Sequence, residues 1–93
     1  MSRYVLNDKY VLSKVGKESV IAPIAEGVAQ MKSLLTLNET GTRILELIQD
    51  GRSTSEVFEV VKLEYEVDER TLQTDIASLV SQLLQKKILL PVD

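Results

Sequence analysis

Any chemistry in this chain would have to be done without histidine or cysteine, because it contains neither. That excludes a Ser-His-Asp arrangement, a thiol nucleophile and a zinc site of the usual ligands. Disulfides and thiol redox chemistry are excluded with them. Serine with lysine, and paired carboxylates, remain. Ser13 and Lys14 adjoin within the strand-forming run Tyr10-Val11-Leu12-Ser13-Lys14-Val15, so their side chains point to opposite faces and cannot meet. Glu64, Glu66, Asp68 and Glu69 form an acidic run that could hold a hard cation. It lacks the spacing of a calcium loop, and a solvated turn with negative charge at a helix start accounts for it better. Gly16 and Gly27 read as turn glycines, with no phosphate-cradling pattern around them. The expectation is no catalysis, no cofactor and no metal. Function is then expected in binding or in structure rather than in catalysis.

The elements that would position a binding surface follow from caps and spacings. Leu37-Asn38-Glu39-Thr40-Gly41 opens a short helix, with Asn38 as its cap and Glu39 at the positive end of the dipole. Gly41, Ile44, Leu45 and Ile48 recur at the spacing of one buried face, and Asp50-Gly51 ends the helix. Ser53-Thr54-Ser55-Glu56 is a capping box for a second helix, whose inner face is Val57, Val60, Val61 and Tyr65, with Phe58 beside them. After a turn at Glu66-Val67, Asp68 caps a third helix with the stripe Leu72, Ile76, Leu79, Val80 and Leu83, running to about Lys86 or Lys87.

Upstream of these helices the chain reads as strand. Met1 to Lys9 is expected to be a frayed lead-in, with Asn7-Asp8 as a turn signal. Tyr10–Val15 and Glu18–Ala22 form a hairpin around Gly16-Lys17, and Pro23 closes it because proline cannot donate to a ladder. Ala25–Ala29 reads as a loop or a single helical turn, and Ser33-Leu34-Leu35-Thr36-Leu37 as a third strand. Ile88-Leu89-Leu90-Pro91 is an apolar tail that must pack somewhere. The whole, residues 1–93, is expected to be a single α+β domain: a three-stranded antiparallel amino-terminal sheet followed by three helices, in a winged-helix-like arrangement.

Composition narrows the class. An apolar fraction of 44% is ordinary for a folded globular chain, so disorder is not expected. No apolar run reaches the length of a membrane span, and Met1-Ser2-Arg3-Tyr4 lacks the apolar core of a signal peptide, so a cytoplasmic protein without a membrane partner is expected. The formal net charge of -3 disfavours nucleic acid. The second and third helices could nonetheless form a helix-turn-helix with the hairpin as wing. The charges oppose that reading. Asp68-Glu69-Arg70-Thr71, with Asp75 one turn on, would meet phosphate, and Ile88 to Asp93 is too short for a downstream wing.

A peptide is the better partner on physical grounds. Ser33 to Leu37 carries neither charge nor proline, so it is an unprotected edge to which an extended peptide could add as a strand. The alternative is that Ala25–Lys32 or Tyr4–Asn7 covers this edge. Asp75, Leu79, Gln82 and Lys86 form a stripe beside the core face of the third helix and could serve as the neighbouring wall. A groove lined by Leu35, Leu37, Ile76 and Leu79 would then take alternate apolar side chains of the peptide, with Asp75 and Lys86 fixing its direction.

Leu37-Asn38-Glu39-Thr40-Gly41, Ile44-Leu45-Glu46-Leu47, Asp50-Gly51, Thr54, Glu56-Val57 and Asp75-Ile76 with Leu79 and Leu83 together resemble the pyrroloquinoline-quinone biosynthesis protein D family. The similarity spans about Tyr10 to Leu90. It implies a precursor-peptide recognition element: a peptide chaperone without catalysis of its own. Such a domain binds the leader of a ribosomally made precursor and presents the core to a modifying enzyme, often a radical S-adenosylmethionine enzyme. The unprotected edge and the helix stripe, together with the family's use of such a cleft, make the expected binding residues Ser33, Leu34, Leu35, Thr36, Leu37, Asp75, Ile76, Leu79, Gln82 and Lys86. The family commonly has glycine near the end of the third helix, where this chain has Lys86-Lys87-Ile88, and Ala25–Lys32 departs from the lead-in of the quinone-pathway members. Another modified-peptide pathway fits as well. A DNA-binding domain and a homo-oligomeric structural domain stay open as rivals, with the chain a monomer or weak dimer.

Overall fold

The computed structural model describes residues 2–24 and 34–92. Its elements run β1 (Arg3–Leu6), β2 (Tyr10–Val15), β3 (Glu18–Pro23), β4 (Leu35–Leu37), α1 (Glu39–Gln49), α2 (Thr54–Glu64), α3 (Glu69–Gln85) and β5 (Leu89–Val92). The expected hairpin, third strand and three helices are all present, and the order β2-β3-β4 is the expected antiparallel sheet. Gly16 takes φ +66 at the first central position of the β2–β3 turn, a value that glycine adopts without strain.

Local chemistry sets the helix boundaries. Gly41 N–H donates to the Asn38 side chain at 2.8 Å, opening α1. Ser53 and Glu56 form the reciprocal capping box of α2. Asp68 accepts from Thr71 N–H at 2.9 Å, opening α3. At the far end of α1, Gly51 at φ +91 donates to Ile48 O, and Arg52 N–H reaches back to Leu47 O.

Two expectations at the chain ends are corrected. The lead-in expected to fray over Met1–Lys9 instead forms a strand at Arg3–Leu6, which pairs antiparallel with Leu89–Val92, from Arg3 opposite Val92 to Leu6 opposite Leu89. The apolar tail thus packs by joining a second, two-stranded sheet. The reason is mutual. Neither segment alone buries enough to hold its backbone, but pairing satisfies both and places Leu89 in the core and Tyr4 and Leu6 against it. The expectation that the segment after Lys87 is too short to form a two-stranded ribbon is corrected, because its partner strand comes from the start of the chain. Asn7 anchors the joint. Its N–H donates to Ile88 O at 2.8 Å and its side-chain amide to Lys87 O at 2.9 Å.

The core lies between the sheets and the helices. α1 runs through its middle, with Ile44, Leu45, Leu47 and Ile48 all buried. Ile21 and Leu37 meet it from the β2-β3-β4 sheet, and Val57 and Val61 from α2. α3 contributes Leu72, Ile76, Val80 and Leu83, and Ile88 and Leu89 close the end. Leu79, expected on this stripe, is only half-buried. Ion pairs hold the outer elements: Arg43 forks onto Glu64 at 2.8 and 2.9 Å, tying α1 to α2, and Lys14 meets Glu46 at 3.0 Å, tying the hairpin to α1. Among the described residues no helix is long and apolar enough to cross a membrane.

Candidate functional site

β4 pairs with β3 on one side only, so it is an edge of its sheet among the described residues. Register decides which of its backbone groups are free. Gly16-Lys17 is a two-residue turn, so the flanking Val15 and Glu18 form a hydrogen-bonded pair, and such pairs recur at every second position. The alternation holds to the end of the hairpin, where Ile24 N–H donates to Lys9 O at 2.7 Å. Ser19 and Ile21 therefore turn away from β2 and towards their partners Leu37 and Leu35 on β4. Leu35 and Leu37 spend their backbone groups on β3, and Thr36 directs its N–H and C=O outwards.

Beside this edge lies a cleft of about 590 Å³. Glu18, Thr36 and Leu37 form its sheet side, and Leu72, Asp75, Ser78, Leu79 and Gln82 its α3 side. Asn38, Thr40 and Gly41 close it at the start of α1. Space around Gly41 is tight. A Cβ at this position would stand 3.2 Å from the Asn38 side-chain oxygen and 3.5 Å from Leu37 Cβ, crowding the cap that shapes the cleft end.

The structure brings together Thr36, Leu37, Asp75, Leu79 and Gln82 from the residues expected on sequence grounds. Others fall elsewhere. Leu34 is exposed next to the strand, and Leu35 is half-buried against the core. Ile76 is 5% exposed and faces the opposite side of α3, where it lines a second groove of about 640 Å³ with Tyr4, Phe58, Val80 and Leu84. Lys86 is the exposed C-cap of α3, one turn beyond Gln82, and is not among the residues that line the cleft. Ser33 lies outside the described residues, as does Ala25–Lys32 as a cover for the edge. The other proposed cover, Tyr4–Asn7, is engaged in the β1–β5 ribbon instead.

Besides the start of α1 and Leu72, which were expected only as cap and core, sequence reasoning missed Glu18 and Ser78. Ser78 was legible, since it follows Asp75 by three and precedes Gln82 by four on the same helix face. Glu18 follows only from the register of β3 against β4. The acidic run at Glu64–Glu69 is absorbed structurally: Glu64 binds Arg43, and Asp68 caps α3. Bonding to Arg43 holds the Glu64 carboxyl below the usual glutamate range. Burial, followed by donation of its hydroxyl to Glu39 at 3.2 Å, raises the Tyr65 phenol. Among the described residues no group of three or more acidic side chains converges on a metal-sized site.

Among the described residues the arrangement has an open strand edge, a helix wall opposite, and a lining of apolar, hydroxyl, amide and carboxylate groups. It suits an extended peptide. The model of the family described as coenzyme PQQ synthesis protein D (PqqD) matches residues 18–89. The chain belongs to the PqqD family. Two solved structures share the PqqD fold seen here. TbiB1, in complex with the TbiA(beta) leader peptide, superposes with a TM-score of 0.76 at 25% identity, covering 91% of this chain and 93% of TbiB1. A lasso peptide synthetase B1 complexed with its leader peptide gives 0.77 at 25% identity, covering 96% and 99%. No curated protein sequence matches.

Proposed function

We propose that this PqqD-family chain is a non-catalytic recognition domain that binds the leader of a ribosomally synthesised precursor peptide and presents the precursor to a modifying enzyme. The leader adds as a strand along β4, pairing with the outward backbone of Thr36, and lies against α3 at Asp75, Leu79 and Gln82. The observation that carries this reading is the one-sided pairing of β4 beside the α3 cleft. Two proteins of the same fold that were solved with leader peptides support it. The reading also favours the cytoplasm, where a ribosomal product first meets its modifying enzyme, and needs neither cofactor nor nucleic acid.

The test is fluorescence titration with synthetic leaders of short precursor genes encoded beside this one, followed by amide chemical-shift mapping. Binding should shift Leu34–Leu37 and the α3 face from Leu72 to Gln82. Thr36→Pro should abolish it while leaving the melting temperature nearly unchanged, because an outward edge position tolerates proline. Leu35→Pro is the harsher variant, since it removes a donor facing β3. Shifts confined to the hairpin Tyr10–Ala22, sparing β4 and α3, would place the peptide elsewhere and sink the proposal.

A further inference from the structure

Among the described residues, the charged ones that line the β4–α3 cleft are Glu18 and Asp75, and both are carboxylates. They stand on different walls, Glu18 at the hairpin end of β3 and Asp75 on α3. Neither has a hydrogen-bond or ion-pair partner among the described residues. Several other carboxylates at or near the surface do have partners: Glu46 pairs with Lys14, Glu64 with Arg43, Glu56 accepts from the Ser53 N–H and Asp68 from the Thr71 N–H. The start of α1, which also borders the cleft, does not neutralise the pair. Its positive end is already met by Asn38 capping Gly41 and by Glu39 in the first turn.

We infer that the cleft selects a leader segment bearing a lysine or arginine side chain between Glu18 and Asp75, and disfavours leaders with an acidic residue there. This rests on the peptide-binding reading above and deepens it. A strand laid beside Thr36 runs between the two walls, and its side chains alternate between faces, so one residue in two lies on the Thr36 face, which Val20 and Glu18 share through the β3–β4 register. A cation there gains from both carboxylates, whereas an anion adds a third like charge. The formal net charge of -3 acts in the same direction on approach.

The test selects displayed random peptides of about twelve residues, long enough to span a strand and its flanks, on the immobilised full chain. Parallel selections use Glu18→Gln, Asp75→Asn, the double variant and Thr36→Pro. The carboxylates are exposed, so each amide variant should melt like the parent. Peptides recovered on the parent and lost on Thr36→Pro should show lysine or arginine enriched at one position beside an apolar consensus. The amide variants should keep the apolar consensus and lose the basic preference, and each should weaken binding of a selected basic peptide by about two- to fivefold, the range of an exposed ion pair. Cleft-binding peptides without a basic preference, or with one that survives the double variant, overturn the charge inference and leave peptide binding intact. If no recovered peptide depends on Thr36, peptide binding at this edge fails, and the inference falls with it.

Discussion

The hydroxyls of Ser19 and Thr42 meet at 2.7 Å in the buried core. Thr42 also directs its hydroxyl to Leu37 O at 3.4 Å, so one short chain of polar contacts joins β3, α1 and β4 under the cleft. A hydroxyl left unpartnered in such a place costs about 1–3 kcal/mol. Thr42→Val keeps the shape and strands Ser19, so urea unfolding should show a loss of about that size. The double variant Ser19→Ala/Thr42→Val should recover part of it, because no donor is then left alone. Losses that simply add would mean the two hydroxyls do not act together.

Gly51 and Lys87 occupy the same position after their helices, in the left-handed region at φ +91 and +60. Lys87 N–H donates to Leu84 O and Ile88 N–H to Leu83 O, repeating the pattern of Gly51 and Arg52 after α1. A side chain in that conformation costs about 1 kcal/mol. Lys87→Gly should therefore raise stability by about 0.5–1 kcal/mol, the gain being trimmed by the greater freedom of glycine in the unfolded chain. Gly51→Val should lower it by about 1 kcal/mol or more. An added Cβ there meets no atom within 4 Å, so backbone strain is the cause. Thermal melts of both variants give the comparison.

Ile44 and Leu83 are 1% and 0% exposed. Truncating either to alanine removes apolar burial and leaves a cavity, so each should cost about 2–5 kcal/mol in chemical denaturation. Near-parental melting of Leu83→Ala would be incompatible with α3 packed as described.

Acid should weaken the α1–α2 junction. Arg43 holds the Glu64 carboxyl below its ordinary range in the folded chain, so the folded form releases that proton more readily than the unfolded one. The resulting stability is present above the ordinary glutamate value and is lost as pH falls through the depressed one. Glu56 behaves alike, chiefly through its bond from the Ser53 N–H. Stability measured from neutral pH downwards should fall less steeply in Glu64→Gln than in the parent. Identical slopes would show that the Arg43–Glu64 fork is not kept in solution.

The sequence by itself determined the local events. Asn38, Ser53 and Asp68 each cap a helix through a partner three residues away, Gly16-Lys17 turns the hairpin, and Gly51 ends α1. Such signals are complete within a few residues, and no distant contact is needed to read them. Tertiary structure decided what depends on partners far along the chain. Arg3–Leu6 has no meaning until Leu89–Val92 lies beside it. Thr36 faces outwards only because the turn at Gly16 sets the phase of β3, and Glu18 enters the cleft for the same reason. Ile76 and Leu79 look alike on one apolar stripe, yet α3 is wedged between two grooves and turns each residue to a different one. Lys87 shows the limit from the other side: the sequence shows no glycine there, but the pull of Asn7, Ile88 and the β5 strand holds the left-handed turn all the same. A side chain's type is local. Its direction is fixed by how elements pack, and that is settled by burial summed over the whole chain.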